Sequence, residues 1–221
     1  AVDEAQERAA LARTVAAPRP SVAAIDPGRE VVVNIVEPLG KSPVVLAAWP
    51  TPALYTAEDA VADVLSEALT GGAFDRLAGR DAGSSLFSAH QRSLPVQSRF
   101  LVALSGGAGS NVDALVATLD RVLARVAHGQ LSEAEIRRAR ERVIANSIAA
   151  LQTLEGRAER LHHYAEYRND PDWLAEDIRR YRDVTPNAVA RFASVVLHRK
   201  RRVILRATPA ATPAAVEERA P

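Results

Sequence analysis

The chain has 221 residues, of which 48% are apolar and 25% are charged, and its formal net charge is +1. Such a chain can bury a core in one full domain or two small ones, so overall disorder is excluded. The near-neutral charge argues against a dedicated nucleic-acid binder, and no apolar run approaches the roughly 18 residues of a transmembrane helix. The absence of cysteine excludes disulfides, thiolate metal sites and cysteine nucleophiles.

The amino-terminal part predicts a helix, a linker and two strands. Residues 3–16 carry acidic residues early and an arginine late, an order that suits the helix dipole. Two prolines then end the helix, and residues 17–28 are interpreted as an exposed linker. Two short runs rich in β-branched residues, 31–36 and 44–49, are separated by a Pro-Leu-Gly-Lys turn and predict strands.

A helix and a second pair of strands are predicted next. Thr56 can cap a helix whose apolar residues share one face and which ends at the pair Gly71-Gly72. Strands are expected over residues 84–92 and 96–105. Because the strands come in pairs and do not alternate with helices, we expect an α+β fold with an antiparallel sheet.

The carboxyl-terminal half is predicted to be mainly helical. Ser132 and Glu135 form a capping box for a long helix, which is expected to bend at Gly156. The apolar pattern of this helix is expected to turn Leu154 and Leu161 inward. Two shorter helices follow it before the last strand.

These patterns divide the chain into three parts. Residues 1–28 hold the first helix and the linker, which we expect to come from a preceding domain. Residues 29–208 form the main domain and end with a strand at 202–206. Residues 209–221 are a low-complexity tail of Ala, Pro and Glu that is expected to be disordered.

Three features that could carry chemistry have simpler interpretations. The glycine-rich loop over residues 105–110 lacks the lysine of a phosphate-binding loop. His162, His163 and Glu166 could meet on one helix face, yet H-x-x-E-Y is one histidine short of an inverzincin site. Four arginines could hold a peptide carbonyl or carboxylate, although surface exposure explains each of them more simply. These arginines are Arg76, Arg80, Arg92 and Arg99.

Several segments, taken in order, resemble one protein family. The core of a zinc-peptidase half-unit, with its strand, helix and glycine turn, is similar to PVVLAAWPTPALYTAEDAVADVLSEALTGGAFDRL. Later parts of the same unit resemble HGQLSEAEIRRARERVIA, LHHYAEYRNDPDWLAEDIRRYRDVTPNAVARFASVVL and RRVILRATP. Over about residues 29–209 the chain therefore resembles the insulinase/pitrilysin/mitochondrial-processing-peptidase superfamily.

The resemblance implies an α+β half-unit whose antiparallel sheet has about five to six strands, with helices packed on one face. Two such halves close around a peptide, and one of them binds zinc through H-x-x-E-H, whose glutamate is the general base. That motif belongs to the helix at residues 56–69, which here contains no histidine. Counting back from the glycine turn, Ala62, Leu65 and Ser66 take the positions of the His, Glu and His. The chain is thus expected to be the non-catalytic half, with no cofactor of its own and with zinc on its partner half.

The resemblance also implies two substrate-binding residues. In active relatives the non-catalytic half often supplies an arginine, and a tyrosine seven residues later, which hold the substrate carbonyl near the zinc. Arg80 and Phe87 have this spacing, although phenylalanine has no hydroxyl, and an alternative register places Ser85 at the tyrosine position. Arg80 and Phe87 are therefore the candidate substrate-binding residues.

The leading hypothesis is a non-catalytic half of a zinc endopeptidase that is inactive on its own. Its partner would be the zinc-bearing half, in the same polypeptide or in a separate subunit, and its ligand would be a peptide. The alternative is a structural or assembly module of the same fold without a peptidase role, which the missing tyrosine favours. The family and the absence of an initiating methionine favour a bacterial periplasmic or envelope location.

Overall fold

The computed structural model describes residues 24–79, 84–107 and 109–210. The predicted helix over 3–16 and the predicted tail beyond residue 210 lie outside the described residues. Among the described residues, no helix has the length and apolarity needed to cross a membrane. The strands are β1 (Val31–Glu37), β2 (Val44–Thr51), β3 (Ser84–Arg92), β4 (Ser98–Gly106) and β5 (Val203–Pro209). The α-helices are α1 (Ala57–Ala68), α2 (Phe74–Ala78), α3 (Val112–Ala127), α4 (Glu133–Ala149), α5 (Leu154–Arg168), α6 (Leu174–Arg182) and α7 (Pro186–Val195).

The strands form one sheet in the order β1-β5-β2-β4-β3. Its pairs are antiparallel except for β1 and β5, which run parallel to each other. The predicted α+β fold is confirmed. The first two strands do not form the hairpin that their spacing suggested, because β5 lies between them and pairs with both.

Alternating side chains give the sheet two different faces. On the core face, Val45, Ala47 and Trp49 of β2 are buried together with Phe100 and Val102 of β4. Helix α3 packs on β2, β4 and β5, and α1 packs on β3. Helix α7 contacts both α1 and α3, so the sheet and these helices enclose one hydrophobic core.

The opposite face, which we call the open face, is also apolar. Along β2 and β4 its side chains alternate with the buried ones, and Leu46 and Val203 are among the exposed apolar residues of the molecule. Together the open-face side chains line a groove of about 410 Å³. The groove residues on this face are Leu46, Ala48, Leu101, Ala103, Val203 and Leu205, with Ser88 and His90 at its rim.

The long helix predicted after the capping box is two helices, α4 and α5. Thr153 caps α5 by accepting a hydrogen bond from the Gly156 amide at 3.0 Å. A Cβ on Gly156 would lie 1.9 Å from the Ala150 carbonyl oxygen, so this tight turn requires glycine. The turn changes the direction of the chain and the face on which the apolar residues of α5 lie. The prediction that Leu154 and Leu161 face inward is therefore wrong, and these residues are 76% and 52% exposed.

An arginine clamp joins α2 to the start of α4. The capping box predicted for Ser132 and Glu135 is confirmed. Arg76 donates to both carboxylate oxygens of Glu135, at 2.7 and 2.8 Å, and to the Gln130 carbonyl oxygen at 2.9 Å. Although partial burial opposes it, hydrogen bonds from Arg76 and Ser132 lower the pKa of Glu135. Arg76 therefore stabilises the fold at this junction.

Candidate functional site

Helix α1 is the element to which the resemblance assigns the zinc motif. Ala62 and Leu65 are fully buried in the hydrophobic core. The Ser66 hydroxyl donates a hydrogen bond to the Asp63 carbonyl oxygen at 2.8 Å. Apolar side chains in a core cannot ligate zinc, and a serine hydroxyl is not one of its usual ligands. Within the described part of the chain, no group of three or more His, Asp or Glu side chains could hold a metal ion.

The two candidate substrate-binding residues differ in what the structure says of them. Arg80 lies outside the described residues. Phe87 is half-buried on the core face of β3, where its ring stacks on Phe74 with the ring centroids 3.7 Å apart. In the alternative register, the Ser85 hydroxyl donates to the Gly106 carbonyl oxygen at 3.1 Å. Phe87 thus packs against the helix layer, and Ser85 bonds to its own sheet.

The histidines of the H-x-x-E-Y motif lie on α5. His162 Nε2 is 3.3 Å from a carboxylate oxygen of Glu166, and both side chains reach solvent. The ring of His163 contacts the ring of Tyr167 edge-on, with the centroids 5.7 Å apart. This arrangement is that of a solvated helix face.

A cluster of charged and aromatic side chains lies between α1 and α6, and we call it the α1–α6 cluster. Two of its carboxylates, Asp59 and Asp177, are buried, and a buried charge needs donors or a counter-ion. Helix α5 closes the cluster on a third side. Its members are Tyr55, Asp59, Asp63, Arg160, Tyr164, Asp177, Arg180 and Tyr181.

Neutral donors satisfy the first of these carboxylates. Asp59 accepts hydrogen bonds from the Tyr55 amide at 3.0 Å, the Gln91 side-chain amide at 3.2 Å and the Ser93 hydroxyl at 2.6 Å. The Arg180 guanidinium adds an ion pair at 3.6 Å. Asp59 therefore joins the start of α1 to the β3–β4 hairpin and to α6.

Arginine satisfies the second carboxylate. Asp177 accepts from the Tyr164 hydroxyl at 2.6 Å and from Arg160 at 3.4 Å. It also accepts hydrogen bonds from Arg180, which in turn donates to the Thr56 carbonyl oxygen at 2.7 Å. Arg180 is thus shared between α6 and the cap of α1, and it ties these two helices together.

The third carboxyl group, Asp63, accepts fewer hydrogen bonds than Asp59 and Asp177 do. The Tyr181 hydroxyl donates to it at 2.8 Å, and it faces a cavity of about 280 Å³ next to the cluster. Burial, together with the charge of Asp59 one turn away, raises the pKa of Asp63 to about 7. Burial and the charge of Asp63 also raise the pKa of Tyr181. Asp63 therefore changes its charge near neutral pH.

The α1–α6 cluster was not predicted from the sequence. One signal was present, since Asp59 and Asp63 are spaced i,i+4 on a helix that is otherwise mainly apolar. A second was the spacing of Asp177, Arg180 and Tyr181, which puts all three on one side of α6. The sequence could not show that these two helices pack together.

Two of the four candidate arginines lie opposite each other on neighbouring strands, on the same face of the sheet. Arg92 of β3 is directly opposite Arg99 of β4. Their chain neighbours Gln91 and Ser98 are buried on the core face, so both arginines project from the open face, and both are exposed. Neither guanidinium makes an ion pair within residues 24–79, 84–107 and 109–210.

Known structures share this fold. A protease from Helicobacter pylori matches with a TM-score of 0.75 and 18% identity, over 89% of this chain and 48% of that one. The inactive peptidase domain of a putative zinc protease from Bordetella parapertussis matches with a TM-score of 0.68 and 21% identity, over 79% of this chain and 97% of that one. The periplasmic protease PqqL of Escherichia coli matches with a TM-score of 0.65 and 15% identity, over 95% and 24% of the two chains. The chain thus spans less than half of two of these proteins and nearly all of the Bordetella domain.

The sequence also matches a family model. The model of the Peptidase M16 inactive domain matches residues 9–143, which is more than half of the chain. No curated protein matches the chain with significance. The match agrees with the fold and with a helix α1 that has Ala62, Leu65 and Ser66 at the positions that the resemblance gives to the zinc motif. The resemblance to a non-catalytic half-unit is confirmed, and the chain belongs to the inactive-domain family of M16 peptidases.

Proposed function

We propose that this chain is the non-catalytic half of a zinc endopeptidase, and that it completes a peptide-binding chamber with a second half that carries H-x-x-E-H. The observation that carries the proposal is the composition of helix α1. Its side chains at the positions of the zinc motif are Ala62 and Leu65, both in the core, and Ser66. Peptide hydrolysis by a zinc-bound water therefore needs a metal held by another half.

The open face of the sheet supports the second part of the proposal. Exposed apolar surface costs about 25 cal/mol per Å², and a large continuous patch of it usually marks a binding surface. The groove of about 410 Å³ on this face has the size of a ligand site. In the proposed assembly the open face lines the chamber, where the zinc-bearing half and the peptide shield it from water.

The direct test is a mixing experiment with casein as an unfolded substrate. This chain and the half that bears H-x-x-E-H are purified separately and assayed alone and together. We expect no cleavage by this chain alone, and cleavage that appears or rises in the mixture, because this chain supplies part of the chamber wall. A partner whose activity does not change when this chain is added would contradict the proposal and support the assembly-module alternative.

Arg80 is the proposed contact to the substrate carbonyl. A charge-assisted hydrogen bond to that oxygen contributes roughly 1.5–3 kcal/mol, which is about a ten- to hundredfold change in rate. Arg80→Ala should therefore lower kcat/KM of the assembled enzyme by that factor without changing the melting temperature of this chain. Arg137→Ala, at an exposed position on α4, is the matched control. Unchanged turnover of the Arg80 variant would remove this residue from the substrate site.

Phe87 offers the reverse test. Phe87→Tyr keeps the ring that stacks on Phe74 and adds the hydroxyl that active relatives have at this position. Phe87 is half-buried on the core face of the edge strand β3, so this test requires that the substrate pass along that edge and not only over the open face. If Arg80 and Phe87 are in the correct register, the substitution should then raise kcat of the assembled enzyme with little effect on KM. An unchanged kcat with an unchanged melting temperature would remove Phe87 from the substrate site.

A further inference from the structure

The opposed pair Arg92 and Arg99 has no carboxylate partner among the described residues. Like charges directly opposite each other on neighbouring strands destabilise a sheet. Many other arginines of the described residues are matched by carboxylates. Examples are Arg76 with Glu135, Arg142 with Glu67, Arg180 with Asp177 and Arg202 with Asp120. Arg92 and Arg99 therefore form a concentrated positive charge that the described chain does not neutralise.

The arginine pair stands at one end of the apolar groove. Side chains two residues apart on a strand lie on the same face, about 7 Å from each other. Arg99 is therefore next to Leu101, and Arg92 is next to His90, and both of these neighbours line the groove. The groove and the arginine pair thus form one continuous surface with an apolar floor and a cationic end.

The lining of this surface defines the chemistry of its ligand. The groove side chains are aliphatic apart from Ser88 and His90, and no carboxylate among the described residues lines it. On the other side of Arg99 the facing residue of β2 is Pro50, which has no charge either. A complementary ligand must bring apolar side chains to the groove and a negative charge to its end.

We propose that Arg92 and Arg99 form a carboxylate-binding site, and that the open face binds an extended peptide whose apolar side chains fill the groove. The guanidinium forks match a carboxylate in shape and charge, and the negative charge removes the repulsion between the two arginines. We assign the carboxylate to an acidic side chain, because the groove is proposed to line a chamber for internal cleavage, through which the peptide chain continues. The inference rests on the proposed function, since it assigns a class of substrate to the chamber.

The test measures peptide binding to this chain by fluorescence anisotropy, without the zinc-bearing half. Three labelled peptides share one sequence of Leu, Val and Ala. The first has a free carboxyl terminus, the second is amidated, and the third is amidated and carries one Glu. We expect the peptide that carries Glu to bind about tenfold more tightly than the amidated peptide without it. A preference for the free carboxyl terminus alone would overturn the assignment to an acidic side chain.

The double variant Arg92→Gln and Arg99→Gln should bind all three peptides as weakly as wild type binds the amide. Its melting temperature should equal or exceed that of wild type, because a like-charge pair is removed. Arg137→Gln, at an exposed position on α4, should keep the preference. Equal binding of the three peptides, no binding of any of them, or a preference that survives the double substitution would overturn the inference. If casein cleavage still rises in the mixing experiment, such a failure refutes the carboxylate site and leaves the proposed function standing.

Discussion

Arg180 provides the sharpest test of how the helix layer is held together. Its side chain is 9% exposed, and it donates hydrogen bonds to Asp177 and to the Thr56 carbonyl oxygen. It also lies 3.6 Å from Asp59, so one guanidinium serves two buried carboxylates. Arg180→Ala would remove the positive charge that neutralises these two buried carboxylates. Removing one partner of a buried ion pair in this way costs about 3–5 kcal/mol. We expect the free energy of unfolding to fall by about that amount.

The neighbouring residue on α6 is a matched control. Arg179 also makes two ion pairs, with Glu176 and Asp183, but its side chain is 63% exposed. Ion pairs at the surface are screened by water, so Arg179→Ala should change stability little. Urea denaturation followed by circular dichroism compares the two variants under identical conditions. Equal losses for both variants, or a loss below about 1 kcal/mol for Arg180→Ala, would refute the role of Arg180 in joining α6 to α1.

Three further predictions concern stability. Arg76→Ala should lower the free energy of unfolding by about 1–2 kcal/mol in urea titrations while peptidase activity of the assembled enzyme stays unchanged, because its hydrogen bonds go to Glu135 and a backbone carbonyl. Ser132→Ala removes the cap of α4 and should cost about 1 kcal/mol in the same assay. Burial and the nearby Asp59 raise the pKa of Asp63 from 3.8 to about 7, so the folded chain holds this proton more tightly than the unfolded chain does. Stability should therefore fall as pH rises from about 4 through 7. Asp63→Asn should be more stable than wild type at pH 8 but not at pH 4. If the free energies of unfolding of the two proteins change in parallel with pH, this prediction is wrong.

Local chemistry made much of the fold predictable from the sequence. The hydroxyls of Thr56 and Ser132 start helices at the predicted positions, since each accepts a hydrogen bond from an amide in the first turn. Runs of β-branched residues predicted the first two strands, and the strand expected over residues 96–105 is β4. These signals depend on neighbours within a few residues, which a single sequence contains.

Long-range pairing was not predictable in the same way. Strand β5 takes its place between β1 and β2 from the far end of the chain, and no local pattern indicates that insertion. The hydrogen bond from Tyr181 to Asp63 joins residues 118 positions apart, so the α1–α6 cluster exists only once the helices pack. The sequence was compatible with one helix that bends at Gly156 or with a new helix capped by Thr153. The apolar pattern did not distinguish the two, and the structure has the new helix.

Elemental analysis for zinc decides whether this chain is the non-catalytic half. This chain, purified alone, should hold no stoichiometric zinc, because its α1 carries Ala62, Leu65 and Ser66 where the metal-binding motif would be. The assembled protease should hold one zinc per pair of halves, bound to the partner, and its casein cleavage should stop when a chelator removes the metal. One tightly bound zinc on this chain alone, together with chelator-sensitive cleavage of casein, would contradict the account.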